Sequence, residues 1–282
     1  MNEQVARLIE LRRLEEKTKF NSSSKIISIV SGKGGTGKSF FALNFAYQLS
    51  RLGKKILLVD LDFNFSNIHL LLNYAAENTL SDFFLQRKVL RELIYKYSDN
   101  LNIIFGDSGA SDYPKISRDL LEYFFINLSK ISPQYDFIIL DSSAGADEIT
   151  LYQLNKSDYN IIIATPEPTS VMDAYVIFKL IVENTDVTKN YVVFNKSESK
   201  DDSDSAFQNL STAVRHFLKS EINLLGVIGY DRTVYKSIME QELLMKSFPN
   251  SVAALEIIEL VRRLVKFTQV ANNNQANRTT LF

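Results

Sequence analysis

The stretch Lys25–Ser39, which reads KIISIVSGKGGTGKS, contains the residues that decide the fold. Its first part, Lys25–Ser31, is rich in β-branched residues and predicts a buried strand. Residues 32–39, GKGGTGKS, fit the pattern G-x4-G-K-[ST], and apolar residues then recur at helical spacing from Phe40 to Leu52. Four of the chain's 10 glycines lie between Gly32 and Gly37. A strand, a glycine-rich turn and a helix in this order predict a phosphate-binding loop.

Each residue type in this loop has a chemical reason to be there. Glycines let successive backbone N–H groups point at phosphate oxygens, and the positive end of a helix dipole begins near Lys38. We expect Lys38 to contact the β- and γ-phosphates and the Ser39 hydroxyl to ligate Mg²⁺. The residues predicted to bind nucleotide here are Gly32, Lys33, Gly34, Gly35, Thr36, Gly37, Lys38, Ser39 and Phe40.

The remainder of the chain alternates short apolar runs with helix-like segments. The predicted strands are Ile56–Asp60, Asn102–Phe105, Phe137–Asp141, Tyr159–Ala164, Tyr191–Asn195 and Leu224–Ile228. The predicted helices between and after them include Ser117–Lys130, Thr169–Glu183, Ala206–Lys219 and Ser251–Lys266. Uninterrupted apolar strands that alternate with helices predict one doubly wound α/β domain, with a mainly parallel sheet and helices on both faces.

Three parts are expected along the chain. Residues 1–20 carry apolar side chains three apart among charged ones and predict an amphipathic N-terminal helix. Residues 21–269 form the α/β domain, and residues 270–282 are too polar to pack and are expected to be a disordered tail. Within the domain, the charged run 196–205 predicts a solvated loop.

Composition excludes several classes of function. The chain has 282 residues and no cysteine, so thiolate zinc sites, iron–sulfur clusters and cysteine nucleophiles are excluded. Its 32 Lys+Arg and 33 Asp+Glu give a net charge of −1, which provides no overall positive field for nucleic acid or membrane. No apolar run is long enough to cross a bilayer, and the N-terminus lacks the order of a secretory signal. A cytoplasmic location is expected.

Three aspartates follow or end predicted strands, where ligands bind in open α/β sheets. Asp60 and Asp62 close the run from Ile56, and Asp141 closes the run from Phe137. Mg²⁺ prefers oxygen ligands, so a carboxylate at the end of a buried strand suits a magnesium site. The predicted metal site consists of Ser39, Asp60 and Asp141.

The loop GKGGTGKS, with its additional Lys33, resembles the deviant phosphate loop of the MinD/ParA family of ATPases, and the resemblance covers about residues 25–266. It implies the phosphate-loop NTPase fold and an ATP-dependent homodimer in which Lys33 reaches the partner's nucleotide. The family's features further imply that Asp141 is the Walker-B aspartate and that Asp62 orients the attacking water. Lys33, Lys38 and Asp62 are therefore the predicted catalytic residues.

The same resemblance suggests where the base binds. Asn195 resembles the family's adenine-contacting asparagine, although Asn195-Lys196-Ser197-Glu198 is also similar to the guanine-reading N-K-x-D of GTPases. Gly229, Tyr230 and Asp231 stand at the turn that lines the family's adenine pocket. Gly229 replaces the usual proline, which leaves that turn less preset.

Two stretches indicate a branch of the family. Residues 165–175, TPEPTSVMDAY, resemble a stretch of the FlhG type, which regulates flagellar number. Residues 3–8 partly resemble the FlhG helix that activates the GTPase FlhF, in which Gln4 would act; an ordinary amphipathic appendage is the alternative. The resemblance implies FlhF and flagellar basal-body or regulatory proteins as partners. A division-site MinD, a ParA-type partition ATPase and a nucleotide-dependent scaffold without turnover remain open.

Charge and the C-terminal helix bear on the other partners. Balanced charge and the acidic run at 196–205 argue against DNA binding. Ser251–Lys266 is predicted to be a core helix, and the polar tail ends in Leu281 and Phe282, too little apolar surface for a stable anchor. Membrane contact is therefore expected to be peripheral at most.

Overall fold

The structure, a computed structural model, describes residues 24–63, 66–107, 116–183 and 190–279, with side chains as far as Thr268. The strands are β1 (Lys25–Ser31), β2 (Ile56–Leu61), β3 (Tyr95–Lys96), β4 (Leu101–Ile104), β5 (Phe137–Ala144), β6 (Tyr159–Ala164), β7 (Asn190–Ser197) and β8 (Asn223–Gly229). The α-helices are α1 (Lys38–Arg51), α2 (Ile68–Leu71), α3 (Leu80–Phe84), α4 (Arg118–Ile131), α5 (Glu148–Lys156), α6 (Pro168–Val182), α7 (Lys200–Ala213), α8 (Arg232–Met239), α9 (Leu244–Ser247) and α10 (Val252–Thr279). Short 3₁₀ turns occupy Leu90–Leu93 and Ser132–Gln134, and a π-helical turn, Val214–Leu218, follows α7.

The eight strands form one sheet in the order β3-β4-β2-β5-β1-β6-β7-β8. Every neighbouring pair is parallel except β3 and β4, at one edge. The strand β1 lies between β5 and β6, and Asp60 of β2 pairs in register with Asp141 of β5. Because parallel strands end at the same edge, the phosphate loop and both aspartates meet there.

Helices cover both faces of this sheet. On one face, Phe41 and Phe45 of α1 pack with Ile257 and Leu264 of α10 in the same buried cluster. On the other face, one cluster includes residues of α4 and a second cluster includes residues of α6 and α7. Burial of each such aromatic or aliphatic side chain contributes roughly 1.5–3 kcal/mol. The doubly wound, mainly parallel sheet predicted from the sequence is confirmed.

The charged run 196–205 is not the solvated loop expected from its polarity. Helix α7 begins within it, at Lys200, six residues before the predicted start. The hydroxyl of Ser199 accepts a hydrogen bond from the backbone N–H of Asp202, and acidic residues occupy the first turn. A side-chain cap and negative charge at the positive end of the helix dipole stabilise this helix start, which polarity alone did not indicate.

The polar tail also differs from expectation. Helix α10 runs to Thr279, so residues 270–279 continue a helix instead of the predicted disordered segment. No glycine or proline occurs from Val252 to Thr279, and backbone hydrogen bonds therefore continue from the packed part of the helix. The part up to Leu264 lies in the core, as predicted. Among the described residues, no helix combines the length and apolar character needed to cross a membrane.

Candidate nucleotide-binding site

The phosphate loop joins β1 to α1 and is built on glycine conformations. Gly35 and Gly37 have φ values of 79° and 91°, in the left-handed region that glycine enters without steric cost. A Cβ atom added at Gly34 or Gly35 would meet nothing within 4 Å, so this part of the loop faces open space. The backbone is thus shaped to approach an anion closely.

Two loop glycines are required by their neighbours. A Cβ atom at Gly32 would lie 2.4 Å from the Cβ of Asp173 on α6, and one at Gly37 would lie 2.4 Å from the Nδ2 of Asn195. Both distances are far below ordinary contact. The loop is therefore packed against α6 on one side and against β7 on the other.

Lys38 is the buried centre of the site. Its Nζ donates a hydrogen bond to Oδ1 of Asp141 at 2.8 Å and lies 3.9 Å from Oδ2 of Asp62. Burial alone would lower the pKa of Lys38, but the neighbouring carboxylates, Asp141 first, outweigh it and raise the pKa. The lysine is therefore held charged, as a phosphate-binding group requires.

Asp60 organises the segment that follows β2. Its Oδ2 accepts hydrogen bonds from the hydroxyl of Ser66 at 2.6 Å and from the backbone N–H groups of Asn67 and Ile68, each at 3.2 Å. Its Oδ1 accepts from the backbone N–H of Asp62 at 3.1 Å. Asp60 was predicted to belong to the metal site, and its carboxylate also positions the segment that carries Asp62.

Burial raises the pKa values of two carboxyl groups at the site, those of Asp60 and Asp141. The pKa of Asp60 is raised to about 7, first by burial and then by the charge of Asp141, with the Ser66 hydrogen bond opposing the rise. Burial likewise raises the pKa of Asp141, while Lys38 opposes that rise. A divalent cation next to these carboxylates would favour their ionised forms.

The donor set around Asp141 fits a magnesium ion. Oδ2 of Asp141 is buried and, within the described part of the chain, has no hydrogen-bond partner, and Ser39 hydrogen-bonds to the same carboxylate. No three His, Asp or Glu side chains of the described residues converge as a ready-made metal cage. Magnesium in nucleotide sites needs no such cage, because phosphates and water complete its octahedron.

A cavity of about 720 Å³ opens at this edge of the sheet. It is lined by Ser31, Gly34, Gly35, Thr36, Gly37, Lys38, Ser39, Phe40, Asp62, Asn67, Leu70, Leu71, Ser143, Ala144, Ile238 and Gln241. The structure thus brings most of the predicted loop together with Asp62. Ile238 and Gln241 were not predicted from the sequence to belong to the site, because both lie more than 170 residues after Asp62 in the chain. One feature of the sequence indicated that Ser143 lies at the site: it follows Asp141 by two residues.

The residues predicted to contact the base lie outside this lining. The Nδ2 of Asn195 donates to the carbonyl oxygen of Thr36 at 2.7 Å, so its amide supports the phosphate loop. The N–H of Gly229 donates to Glu256, and the N–H of Tyr230 donates to the carbonyl of Ser197.

Asp231 has a separate structural task. Its carboxylate accepts hydrogen bonds from the N–H and the hydroxyl of Thr233 at the start of α8. It also accepts from the N–H of Ala253 at the start of α10. Gly229 and Tyr230 line a second groove, between α7 and α10.

Two other predicted residues are placed differently. Lys33 is not part of the cavity lining; its ammonium donates to Glu167 and Thr169 at the start of α6. Gln4 lies outside the described residues, so its prediction is not addressed by the structure. Neither Glu167 nor Thr169 was predicted to contact Lys33, although both belong to the stretch 165–175.

Comparison with known proteins agrees with this geometry. The family model AAA_31, an AAA domain, matches residues 24–194. The antiactivator FleN of Pseudomonas aeruginosa is 27% identical over 248 residues, covering 88% of this chain and 89% of FleN. The flagellum site-determining protein YlxH of Helicobacter pylori is 28% identical over 269 residues, covering 94% of this chain and 91% of YlxH.

Solved structures share the fold. The septum site-determining protein MinD of Pyrococcus horikoshii, solved with Mg-ADP, superposes with a TM-score of 0.71 at 24% identity, covering 88% of this chain and 98% of that one. The chain belongs to the AAA_31 family and is an ATPase of the MinD/ParA type. Within that type it is similar to FleN and YlxH, which are proteins of the FlhG type.

Proposed function

We propose that this ATPase is an FlhG-type switch: ATP binding makes it a homodimer, and the dimer controls flagellar number or placement through flagellar proteins. The observation that carries the proposal is that Lys38 and Asp62 line one cavity, where the ammonium of Lys38 is paired with the buried carboxylate of Asp141. The similarity of the chain to FleN and YlxH over most of its length supports the flagellar assignment.

The residues of the site divide the chemistry among them. The loop N–H groups and Lys38 bind the β- and γ-phosphates, and Asp62 orients the attacking water. Ser39 and Asp141, with Asp60 beside them, would hold Mg²⁺, which supplies charge neutralisation on the phosphates. Loss of the γ-phosphate after slow hydrolysis then removes contacts that stabilise the dimer.

Two substitutions test the enzymatic part. Lys38→Ala is expected to abolish ATP binding, whereas Asp62→Ala is expected to bind ATP and dimerise but to hydrolyse it about a hundredfold more slowly. Fluorescent-nucleotide titration, sedimentation and multiple-turnover phosphate release measure the three steps. Normal turnover by Asp62→Ala would refute its role. A wild type that binds ATP and dimerises without turnover would instead be a scaffold.

The cellular role needs a separate experiment. Flagella and division septa are counted in a deletion strain complemented with wild type or Asp62→Ala. Altered flagellar number with normal septa supports the proposal. Minicells would favour a division-site MinD, and plasmid loss would favour a ParA-type partition protein. The proposed location is the cytoplasm, with peripheral contact at the inner membrane face or at the cell pole. A fluorescent fusion tests this location.

Residues 1–20 are proposed to activate FlhF. A synthetic peptide of residues 1–20 is added to FlhF, and GTP hydrolysis is followed with and without Gln4→Ala in the peptide. Stimulation by the natural peptide and its loss in the variant are expected, because glutamine can orient a water for hydrolysis. An unchanged FlhF rate with both peptides would leave residues 1–20 as an ordinary appendage.

A further inference from the structure

Ser143 lies beside Asp62 at the end of the sheet. The hydroxyl of Ser143 donates to Oδ1 of Asp62 at 3.4 Å and to the carbonyl oxygen of Leu61 at 3.3 Å. Both Ser143 and Asp62 line the cavity that contains the phosphate loop. One hydroxyl proton is thus shared between the backbone of β2 and the carboxylate that follows it.

The backbone of Ser143 is fixed by the strands on either side. Ser142 pairs in register with Leu61, which sets Ser143 level with Asp62. Two residues further on, the N–H of Gly145 donates to the carbonyl of Ser31 at 2.9 Å, which ties this end of β5 to the start of the phosphate loop. The hydroxyl therefore projects from a preorganised position.

Asp62 lies between two groups that attract different oxygens of its carboxylate. Oδ2 is 3.9 Å from the ammonium of Lys38, and Oδ1 accepts from Ser143. An ammonium attracts a carboxylate strongly at low dielectric, so without an opposing donor the side chain would turn further toward Lys38. A carboxylate turned that way would present its oxygens to the lysine instead of to a water in the cavity.

We propose that Ser143 is a positioning residue that holds the Asp62 carboxylate in the orientation needed for ATP hydrolysis. This inference rests on the proposed role of Asp62. Ser143 acts through Asp62 and not on the nucleotide, so it affects the chemical step and leaves ATP binding unchanged.

Kinetics of three variants test the assignment. Ser143→Ala is expected to lower kcat about five- to tenfold, the effect of one hydrogen bond on orientation, with KM for ATP within about twofold of wild type. Ser143→Thr keeps a hydroxyl on a strand-favouring side chain and is expected to restore most of kcat. In an Asp62→Ala background, Ser143→Ala is expected to change kcat no further.

The matched control is Ser211→Ala, whose hydroxyl donates to a carbonyl within α7 far from the cavity. It is expected to leave kcat unchanged. An unchanged kcat in Ser143→Ala would overturn the positioning role. So would a loss of activity that Ser143→Thr does not restore, or a loss that adds to that of Asp62→Ala.

A different pair of results would contradict the proposed function itself: a wild type without turnover, or normal turnover by Asp62→Ala.

Discussion

The ammonium of Lys33 donates hydrogen bonds to the carboxylate of Glu167 at 2.5 Å and to the hydroxyl of Thr169 at 3.1 Å. Lys33 follows β1 and Glu167 follows β6, the neighbouring strand, so adjacent strand ends bring the pair together. The hydrogen bond and charge of Lys33 hold the pKa of Glu167 below its usual value. The lysine that family resemblance assigns to the partner's nucleotide is thus bound within its own protomer.

Breaking this contact should favour the dimer. Glu167→Gln removes the charge that holds Lys33, so the ATP-dependent dimer is expected to form at a few-fold lower protein concentration, a modest effect because the pair is exposed. Sedimentation equilibrium with ATP, in an Asp62→Ala background that slows hydrolysis, measures this shift. Glu183→Gln, an exposed acid at the other end of α6, is the control and should change nothing. A weaker dimer would contradict the prediction and indicate that Glu167 makes contacts across the interface.

The two roles assigned to Asn195 can be separated with two nucleotides. Asn195→Ala removes the hydrogen bond to Thr36 and should weaken ATP binding about fivefold. If the amide supports the phosphate loop, a non-hydrolysable GTP analogue should lose affinity by the same factor as the ATP analogue. A loss confined to the adenine nucleotide would restore the adenine-contact assignment. Asn209→Ala, on the exposed side of α7, serves as the control.

The close approach of Gly32 to Asp173 predicts a steric effect on stability. Gly32→Ala places a methyl group 2.4 Å from the Asp173 Cβ and 2.8 Å from its backbone carbon, which cannot yield as a flexible side chain would. The free energy of unfolding is expected to fall by about 1–3 kcal/mol. Urea denaturation measures it. Gly34→Ala, where nothing lies within 4 Å, should alter stability much less; equal losses in both variants would disprove the packing explanation.

Asp231 predicts a pH-dependent contribution to stability. Burial would raise its pKa, but hydrogen bonds from Thr233 and Ala253 outweigh burial and hold the pKa below the ordinary 3.8. The ionised carboxylate therefore stabilises the fold above pH 3.8, and this contribution is lost as the pH falls through the lower folded-state pKa.

Asp231→Ala should consequently lower the free energy of unfolding by about 1–2 kcal/mol at pH 7, since the carboxylate serves two helix starts. The difference from wild type should shrink as the pH falls below 3.8. Urea unfolding at a series of pH values measures both quantities. A difference that stays constant into acid would show that the charge is not responsible.

The sequence predicted the site best where local pattern and chemistry coincide. The loop from Gly32 to Ser39 was assigned because strand, glycines and helix follow one another in the chain. Asp62 was placed at the ligand-binding edge of the sheet because it follows a buried strand, and the family resemblance supplied its role. The run 196–205 shows where this reasoning failed. It was predicted to be a loop from its polarity, but α7 begins within it and the hydroxyl of Ser199 caps the helix start.

Contacts between distant segments could not be predicted in this way. Lys33 and Glu167 are 134 residues apart, and Asn195 and Thr36 are 159 apart. Nothing in local periodicity indicates which partner a side chain finds, because that depends on the order of strands in the sheet. Asn195 was assigned to the base from resemblance, whereas packing places its amide on the phosphate loop.

The sequence by itself determined the alternation of strands and helices, the phosphate loop and the acids at the strand ends, since these follow from periodicity and glycine geometry within short segments. Tertiary structure alone decided how the acids are used: Asp60 organises a backbone segment, Asp141 pairs with Lys38, and Ser143 reaches Asp62. The physical reason is that the parallel register of β1, β2 and β5 brings these ends together. Burial and hydrogen bonding then give chemically identical carboxylates different roles.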